Sequence, residues 1–437
     1  MTKTNLIDLD ALIAEHGIVG AQVAVLHNGE VEDVAAGVLN NVTNEKVTAT
    51  SVFQIGSITK IWTATLIQQL VNEGLLDLDR PVRDVLPTFK LADEQAAARI
   101  TPRHLLTHTG GFDGDLWFDT GSGDDKVEKY VELMADAEQV VAPGELYTYC
   151  NSGFVVLGRI VEVLRGKPFH AAIKEDVIAD RDFGTTATTF AEYADQTVAT
   201  GHLGDDRKPA EKYLTEAAAP AGTVLAMSAR DLVEFARPHV ESDEFAAMRE
   251  VQFALPNFGL GGDQGLGWVL QNYPGGRKGM GHTGSTLGFE ASLRVLPEAG
   301  LAVAVLTNGG RSLPLVRAVQ AKVLGDLVNV TPKSLPTPPL VPVPIDVEKV
   351  VGVYRSAGLE AHVSEGDGGR VRLRFVPLDE IWEALVDDDE HEYTGLRDDA
   401  LIGVHEEEGY HPVLVLCGRD EQDRVKYLHW GRAAVRV

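Results

Sequence analysis

The segment Phe53-Gln54-Ile55-Gly56-Ser57-Ile58-Thr59-Lys60 places a serine at the start of a helical pattern and a lysine three residues after it. Across residues 58–73, apolar side chains recur at four-residue spacing, and Gly74 is a residue type that commonly ends a helix. Residues three apart share a helix face, so the Lys60 ammonium can reach the Ser57 hydroxyl. A serine needs a neighbouring base to become a nucleophile, and a desolvated lysine can serve as that base.

Two later segments place polar side chains at the edges of predicted elements. Tyr149-Cys150-Asn151 follows the turn-forming Pro143-Gly144 and directly precedes a second helical pattern, so its phenol and amide are expected to project from a loop toward a cleft. His282-Thr283-Gly284 lies in a glycine-rich stretch before a predicted hairpin, which suits a strand edge that a ligand approaches closely. Ser-x-x-Lys alone also arises by chance, as a helix-capping serine and a solvated lysine, whereas the three segments together favour a catalytic site.

In this order, Ser-x-x-Lys, Tyr-x-Asn and His-Thr-Gly resemble the motifs of the penicillin-binding protein and class C β-lactamase superfamily. Family VIII esterases, D-aminopeptidases and penicillin-binding-type thioesterases are among its members. The resemblance covers residues 1–330 and implies an α+β fold, in which an antiparallel sheet carries a helical insertion. It also implies that Ser57 forms the acyl-enzyme, while Lys60 and Tyr149 share the general-base and general-acid work in an order that stays open.

The resemblance further implies a set of substrate-binding and oxyanion residues, which are Asn151, His282, Thr283, Gly284 and Ser285. Asn151 would orient Lys60, and the backbone N–H groups of Ser57 and Ser285 would form the oxyanion hole. His282 stands where β-lactamases of this group carry lysine, and in this it resembles some peptidases, D-aminopeptidases and esterases. Because imidazole is only partly charged near neutral pH, His282 is a weaker cationic anchor for a substrate carboxylate than a lysine would be.

Three features are interpreted as structural. Cys150 stands where serine is common in the family, and it is expected to be a packed small side chain. His104 and His108 have the spacing of a zinc-binding pair, but Leu105 stands where the glutamate of that motif belongs, so no metal site is expected. The acidic loop 113–125 is interpreted as exposed and flexible, and the alternative is that its aromatic pair lines the mouth of a cleft.

Strand pairs are predicted at both ends of the first 330 residues. Residues 21–27 and 30–37 flank Asn28-Gly29, and residues 292–296 and 301–307 flank a Pro-Glu-Ala-Gly turn. These pairs are expected to join into one antiparallel sheet around the helical middle.

The chain is predicted to divide after this catalytic portion, residues 1–330. Residues 331–344 carry six prolines and form a stiff connector that suits a domain boundary. Residues 345–437 contain short β-rich runs between turn residues, the pattern of a small all-β barrel that resembles the lipocalin-like domains of some relatives. This barrel carries no nucleophile or base motif and is expected to take no part in the chemistry.

Composition argues against several classes of function. A formal net charge of -26 disfavours binding to nucleic acid or to an anionic membrane, and no apolar run is long enough to span a bilayer. Two distant cysteines form no disulfide framework. The N-terminal segment lacks the pattern of a secretory signal, so a cytoplasmic location is expected. No cofactor is expected, the expected partner is a small-molecule or peptide acyl substrate, and the oligomeric state stays open.

These residues favour a serine hydrolase that attacks an ester or amide carbonyl through an acyl-serine intermediate, as an esterase, amidase or D-amino-acid peptidase. The alternative is an acyl transferase or peptide cyclase of the penicillin-binding thioesterase type, because both reactions share every step up to the acyl-enzyme. D,D-carboxypeptidase or β-lactamase activity ranks third, since those substrates lie outside the cytoplasmic membrane. A non-catalytic sensor on the same fold is the remaining hypothesis.

Overall fold

The structure is a computed structural model of the 437-residue chain, and it describes residues 7–437 except 180, 182, 384, 385, 387 and 388. The α-helices in this described part are α1 Leu9–His16, α2 Thr59–Asn72, α3 Glu94–Ala97, α4 Pro102–Leu106, α5 Lys126–Leu133, α6 Asn151–Arg165, α7 Phe169–Ala172, α8 Ala229–Glu241, α9 Ser312–Val328, α10 Val347–Val350 and α11 Glu380–Glu383. Most of them lie between the second and seventh strands and form the helical insertion.

The strands fall into one large sheet, two short two-stranded ladders and a barrel. Those before the connector are β1 Gly20–His27, β2 Glu30–Gly37, β3 Phe53–Gln54, β4 His202–Leu203, β5 Lys208–Pro209, β6 Ala226–Met227, β7 Phe253–Ala254, β8 Asp263–Gln264, β9 Val269–Asn272, β10 Lys278–Thr286, β11 Phe289–Leu296 and β12 Leu301–Thr307. Those after it are β13 Gly352–Ser356, β14 Leu359–Glu365, β15 Val371–Pro377, β16 Glu390–Arg397, β17 Ala400–Gly403, β18 Val413–Arg419, β19 Val425–His429 and β20 Ala433–Arg436.

An eight-stranded antiparallel sheet has the order β2-β1-β12-β11-β10-β9-β8-β7. Strand β1 pairs with β12, with Ala21 opposite Thr307, so the strand pairs predicted at the two ends of the catalytic portion do join. The turn between β1 and β2 has φ 54° at Asn28 and φ 80° at Gly29, as a tight two-residue hairpin turn requires. The expected α+β class and the sheet with a helical insertion are confirmed.

Both faces of the sheet are covered, which explains the apolar run at residues 23–26 of β1. Val23 and Val25 pack in the cluster that contains α9, whereas Ala24 and Leu26 pack in the larger cluster of the helical insertion. Because successive side chains of a strand point to opposite faces, a strand covered on both sides carries apolar residues at successive positions rather than at alternate ones.

Helix α2 is the first helix of the insertion and begins after a 3-10 turn at Gly56–Ile58. It matches the helix predicted over residues 58–73, but it is buried on nearly every side rather than on one face. Trp62 stacks on Phe235 of α8, with ring centres 4.0 Å apart and planes within 9°. Burial on nearly every side therefore fixes the start of α2, with Lys60 in its first turn and Ser57 in the 3-10 turn before it.

The C-terminal part is a closed barrel of eight strands, β13 to β20, around its own apolar core. The expected small all-β barrel is confirmed. Residues 331–344 run to it without regular helix or strand, and Val343 N donates to Gly395 O of β16 over 3.1 Å. In the described part of the chain, no helix has the length and apolar character needed to cross a membrane.

Candidate active site

The Lys60 amine lies at the centre of a buried polar site. Its Nζ is 3.0 Å from Ser57 Oγ, 2.7 Å from Asn151 Oδ1 and 2.6 Å from the Ala221 carbonyl oxygen. The side chain is fully buried, and burial first, then the positive charge of Arg432, lower its pKa well below the usual range. The two carbonyl oxygens can only accept hydrogen bonds. A neutral amine would therefore give its two hydrogens to them and turn its lone pair toward the Ser57 hydroxyl.

Tyr149 completes the group around Ser57. Its phenol acts on the Ser57 side chain across the cleft that both residues line, and the Lys60 nitrogen lies 4.8 Å from its ring centre. Burial raises the pKa of Tyr149 above its usual value, so the phenol keeps its proton at neutral pH. The two shifts run in opposite directions, which favours Lys60 as the proton acceptor and Tyr149 as a proton donor.

Strand β10 brings the third motif against the serine turn. A Cβ atom built on Gly284 would lie 1.9 Å from Ile55 O, and one built on Gly56 would lie 2.5 Å from Ser285 N. Gly56 also has a φ of 53°, which favours glycine. Only glycine lets these backbones approach so closely. Ser57 N lies 2.9 Å from the Cβ position of Gly284, so the approach brings the backbone N atoms of Ser57 and Ser285 into the same small region.

His282 is buried beside Tyr149, with ring centres 6.3 Å apart. Its Nδ1 donates to Thr283 O, and burial, followed by the charge of Lys60, lowers its pKa to about 4. The imidazole is therefore neutral at neutral pH. Thr283 is the exposed member of the motif and, like His282, lines the cleft above Ser57, which has a volume of about 400 Å³.

The turn between β19 and β20 carries a cation into this cleft. Gly431 and Arg432 line the cavity beside Ser57 and Tyr149. Backbone contacts hold the turn in place: Tyr149 N donates to Gly431 O over 2.9 Å, and Ala433 N donates to Thr148 Oγ1 over 3.1 Å. The barrel therefore contributes Arg432 to the lining of the cleft, a residue that the sequence did not single out because a lone arginine in a turn has no motif that marks it.

Asp115 links Arg432 to the motif residues. Arg432 Nε donates to Asp115 Oδ2 and its Nη2 donates to Oδ1 over 3.2 Å, while Asn151 Nδ2 donates to the same Oδ1 over 2.6 Å. Asp115 is 5% exposed and Arg432 is 26% exposed at the side chain. The interpretation of loop 113–125 as exposed is thus wrong at Asp115, and Trp117 of that loop lines the cleft.

Cys150 and His108 support the site from behind. Cys150 is buried, and its Sγ accepts a hydrogen bond from Gly153 N over 3.2 Å as the N-cap of α6. Burial raises the pKa of the thiol to about 12, so it is not a nucleophile. The His108 ring stacks on Tyr149, with centres 4.4 Å apart, and its Nδ1 accepts from Cys150 N over 3.0 Å.

The other histidine of the zinc-like pair, His104, caps α4 together with Thr101. Among the residues that the structure describes, no group of three or more His, Cys, Asp or Glu side chains could hold a metal ion.

Comparisons with known proteins show the family and the fold. The family model described as Beta-lactamase matches residues 8–324. Penicillin-binding protein 4 of Amycolatopsis lactamdurans is 38% identical over 368 residues, which are 80% of this chain and 96% of that protein. Esterase EstB of Burkholderia gladioli is 31% identical over 38% of this chain and 45% of its own length. The crystal structure of SurE with D-Leu covers 100% of this chain and 98% of its own, with a TM-score of 0.78 and 26% identity.

Proposed function

Because the chain belongs to the beta-lactamase family of serine hydrolases, we propose that it cleaves an ester or amide of a peptide-like substrate through an acyl intermediate on Ser57. The observation that carries the proposal is the 3.0 Å contact of the Ser57 hydroxyl with a fully buried lysine whose pKa is lowered. A lysine held in this way can be neutral at neutral pH and can accept a proton.

In the proposed reaction, Ser57 Oγ attacks the substrate carbonyl while its proton moves to Lys60 Nζ. The carbonyl oxygen becomes an oxyanion, which the N–H groups of Ser57 and Ser285 stabilise, a contribution of about 3 kcal/mol per donor in serine hydrolases generally. The leaving group departs with a proton from Tyr149, whose phenol then recovers a proton from Lys60. Water repeats the sequence on the acyl-enzyme and releases the acid.

We infer that the substrate carries a D-residue next to the scissile bond. One solved structure that covers the whole chain was determined with D-Leu. The cleft of this chain has a volume of about 400 Å³, and its apolar wall includes Trp117, Leu214 and Leu287. A small apolar side chain fits such a wall. Since His282 is neutral, the permanent cation that lines the cleft is Arg432.

The test is covalent labelling of Ser57. The protein is incubated with a fluorophosphonate and with nitrophenyl butyrate, and intact-mass spectrometry reports the adduct. We expect one adduct on the wild-type chain and none on Ser57→Ala, which should keep its fold because the change removes only one hydroxyl at a cleft. A folded wild-type chain that forms no adduct would refute the hydrolase and favour the non-catalytic sensor.

Acyl transfer to an amine is the second candidate. The whole-chain likeness to a structure solved with D-Leu favours it, because a free amino acid carries an amine that can replace water as the acceptor. Adding D-leucine amide during ester turnover separates the two reactions. A transferase forms the N-acyl product at the expense of the free acid, whereas a hydrolase yields the acid at every acceptor concentration.

A further inference from the structure

We propose that Arg432 of the barrel is a positioning residue, which acts through Asp115 and Asn151 to hold the Lys60 amine beside the Ser57 hydroxyl. The proposal rests on the proposed function and adds a residue from the second domain to the same site. An unbroken series of hydrogen bonds runs from Arg432 through Asp115 and Asn151 to Lys60. Each group in the series is fixed by the one before it.

The orientation of the Asn151 amide shows how the series works. An ionised carboxylate only accepts hydrogen bonds, so Asp115 requires the NH₂ side of the amide to face it. The carbonyl oxygen of Asn151 is then left for Lys60 Nζ, at 2.7 Å. Without Asp115 the amide could turn over and present its NH₂ group to the lysine. That group would occupy the lone pair of the neutral amine, which would then no longer face the Ser57 hydroxyl.

Arg432 supplies the counter-charge that keeps Asp115 in this place. Its guanidinium contacts both carboxylate oxygens, a two-point contact that fixes the carboxylate plane as well as its charge. A buried carboxylate that loses its partner is costly, and the nearest alternative cation in the site is Lys60 itself. Arg432 therefore prevents Asp115 from acting as a permanent anionic partner of the base.

The charges of Arg432 and Asp115 act on Lys60 in opposite directions. After burial, Arg432 is the largest cause that lowers the pKa of Lys60, while Asp115 raises it. The titratable groups that face the lysine from the elements packed around it are Arg432, Asp115, Cys150, Tyr149, His108 and His282. Removing either charge alone therefore shifts the pKa of Lys60, whereas removing both charges returns that pKa toward its wild-type value.

The test compares Arg432→Gln, Asp115→Asn and the double variant with the wild-type chain. The matched control is Arg397→Ala, because Arg397 is also a barrel arginine that bonds the catalytic portion, at Asn257 O, but it does not line the cleft. Two quantities are measured against pH: the acylation rate with nitrophenyl butyrate, and the chemical shift of the Lys60 Cε carbon in protein labelled with [ε-¹³C]lysine. Thermal unfolding checks that each variant is folded.

We expect Arg432→Gln to lower the acylation rate at pH 7 by about tenfold or more and to move the acid limb of the profile and the Lys60 titration to higher pH. Asp115→Asn should move both to lower pH, and the double variant should return them toward the wild-type position. Arg432→Lys should recover part of the rate, and Arg397→Ala should change neither quantity.

Shifts of both single variants in the same direction, or a folded Arg432→Gln chain with wild-type acylation and Lys60 titration, would overturn the proposal. The carbon titration needs no turnover, so it decides the positioning role even if the wild-type chain forms no Ser57 adduct. Absence of that adduct counts against the proposed function alone.

Discussion

Replacing Gly284 by alanine tests whether the approach of β10 to the serine turn builds the oxyanion hole. The new methyl carbon would lie 1.9 Å from Ile55 O and 2.9 Å from Ser57 N, whereas real Cβ atoms essentially never come within 3.0 Å of another atom. Both neighbours are backbone atoms and cannot swing aside, so β10 has to withdraw by about 1 Å, a misplacement that can cost about 100-fold in rate. Gly284 does not have a positive φ, so the cost is steric rather than conformational.

The withdrawal carries the Ser285 N–H away from the oxyanion. Loss of one such donor lowers the rate by about 10²–10³, or roughly 3–4 kcal/mol of transition-state stabilisation. We therefore expect the acylation rate of Gly284→Ala to fall by about 10²–10³. Overpacking of this kind costs about 1–3 kcal/mol of folding free energy, which leaves most domains folded.

Stopped-flow acylation with nitrophenyl butyrate gives the rate, and thermal unfolding gives the stability. Gly325→Ala on α9 is the matched control, because Gly325 is an exposed helical glycine with no atom within 4 Å of the new methyl. Alanine is the better helix former by about 1 kcal/mol, so this control should be as active and at least as stable as the wild-type chain. If a folded Gly284→Ala chain is acylated within about fivefold of the wild-type rate, the Ser285 N–H group is not part of the oxyanion hole.

Three further predictions address the base, the thiol and the pH dependence of stability. Tyr149→Phe and Lys60→Ala should each lower the acylation rate by about 100-fold or more, and the double variant should be much less impaired than the product of the two effects, since the residues share one proton path. Cys150→Ser should acylate within about threefold of wild type in the same assay, because a serine hydroxyl can also accept from Gly153 N and the thiol has no chemical role. Burial lowers the pKa of His239 to about 3, so the native state binds this proton less readily than the unfolded chain, and the free energy of unfolding should fall as pH drops from about 6.5 toward 3. Urea denaturation at pH 7 and pH 5 measures this loss of unfolding free energy, which should be smaller in His239→Leu than in the wild-type chain. An equal loss in both chains would contradict the attribution of this pH dependence to His239.

The sequence predicted those parts of the fold that depend on interactions between neighbouring residues. The hairpin at Asn28-Gly29 needs two residues that tolerate positive φ, and the helix after Ser57 needs apolar spacing with a glycine at its end. These requirements are readable in a few neighbouring residues. The barrel was predicted as a class because short β-rich runs alternate with turns, but strands such as β17, only four residues long, give too little periodicity to detect.

The residues that sequence reasoning missed are those that tertiary packing alone brings to the site. Asp115 lies in an acidic loop that reads as solvated, and it is buried because Asn151 and Arg432 satisfy its oxygens. Arg432 lies more than three hundred residues from Asp115 in the chain, in a turn with no motif. A general rule does call for such a residue, because a buried carboxylate near a catalytic lysine needs a cation as its partner. Sequence gives no means to choose that cation among many arginines.

The place of Arg432 ties the docking of the barrel turn to the protonation of Lys60. If the docked guanidinium lowers the pKa of Lys60, linkage requires that a neutral Lys60 favours the docked turn by the same free energy. The turn is therefore held most firmly when the base is ready to accept a proton, and less firmly once Ser57 has given its proton to Lys60. In the proposed cycle this cationic state lasts only until the leaving group takes a proton through Tyr149. The barrel thus favours the neutral base at both the acylation and the deacylation step, although it supplies no group that reacts.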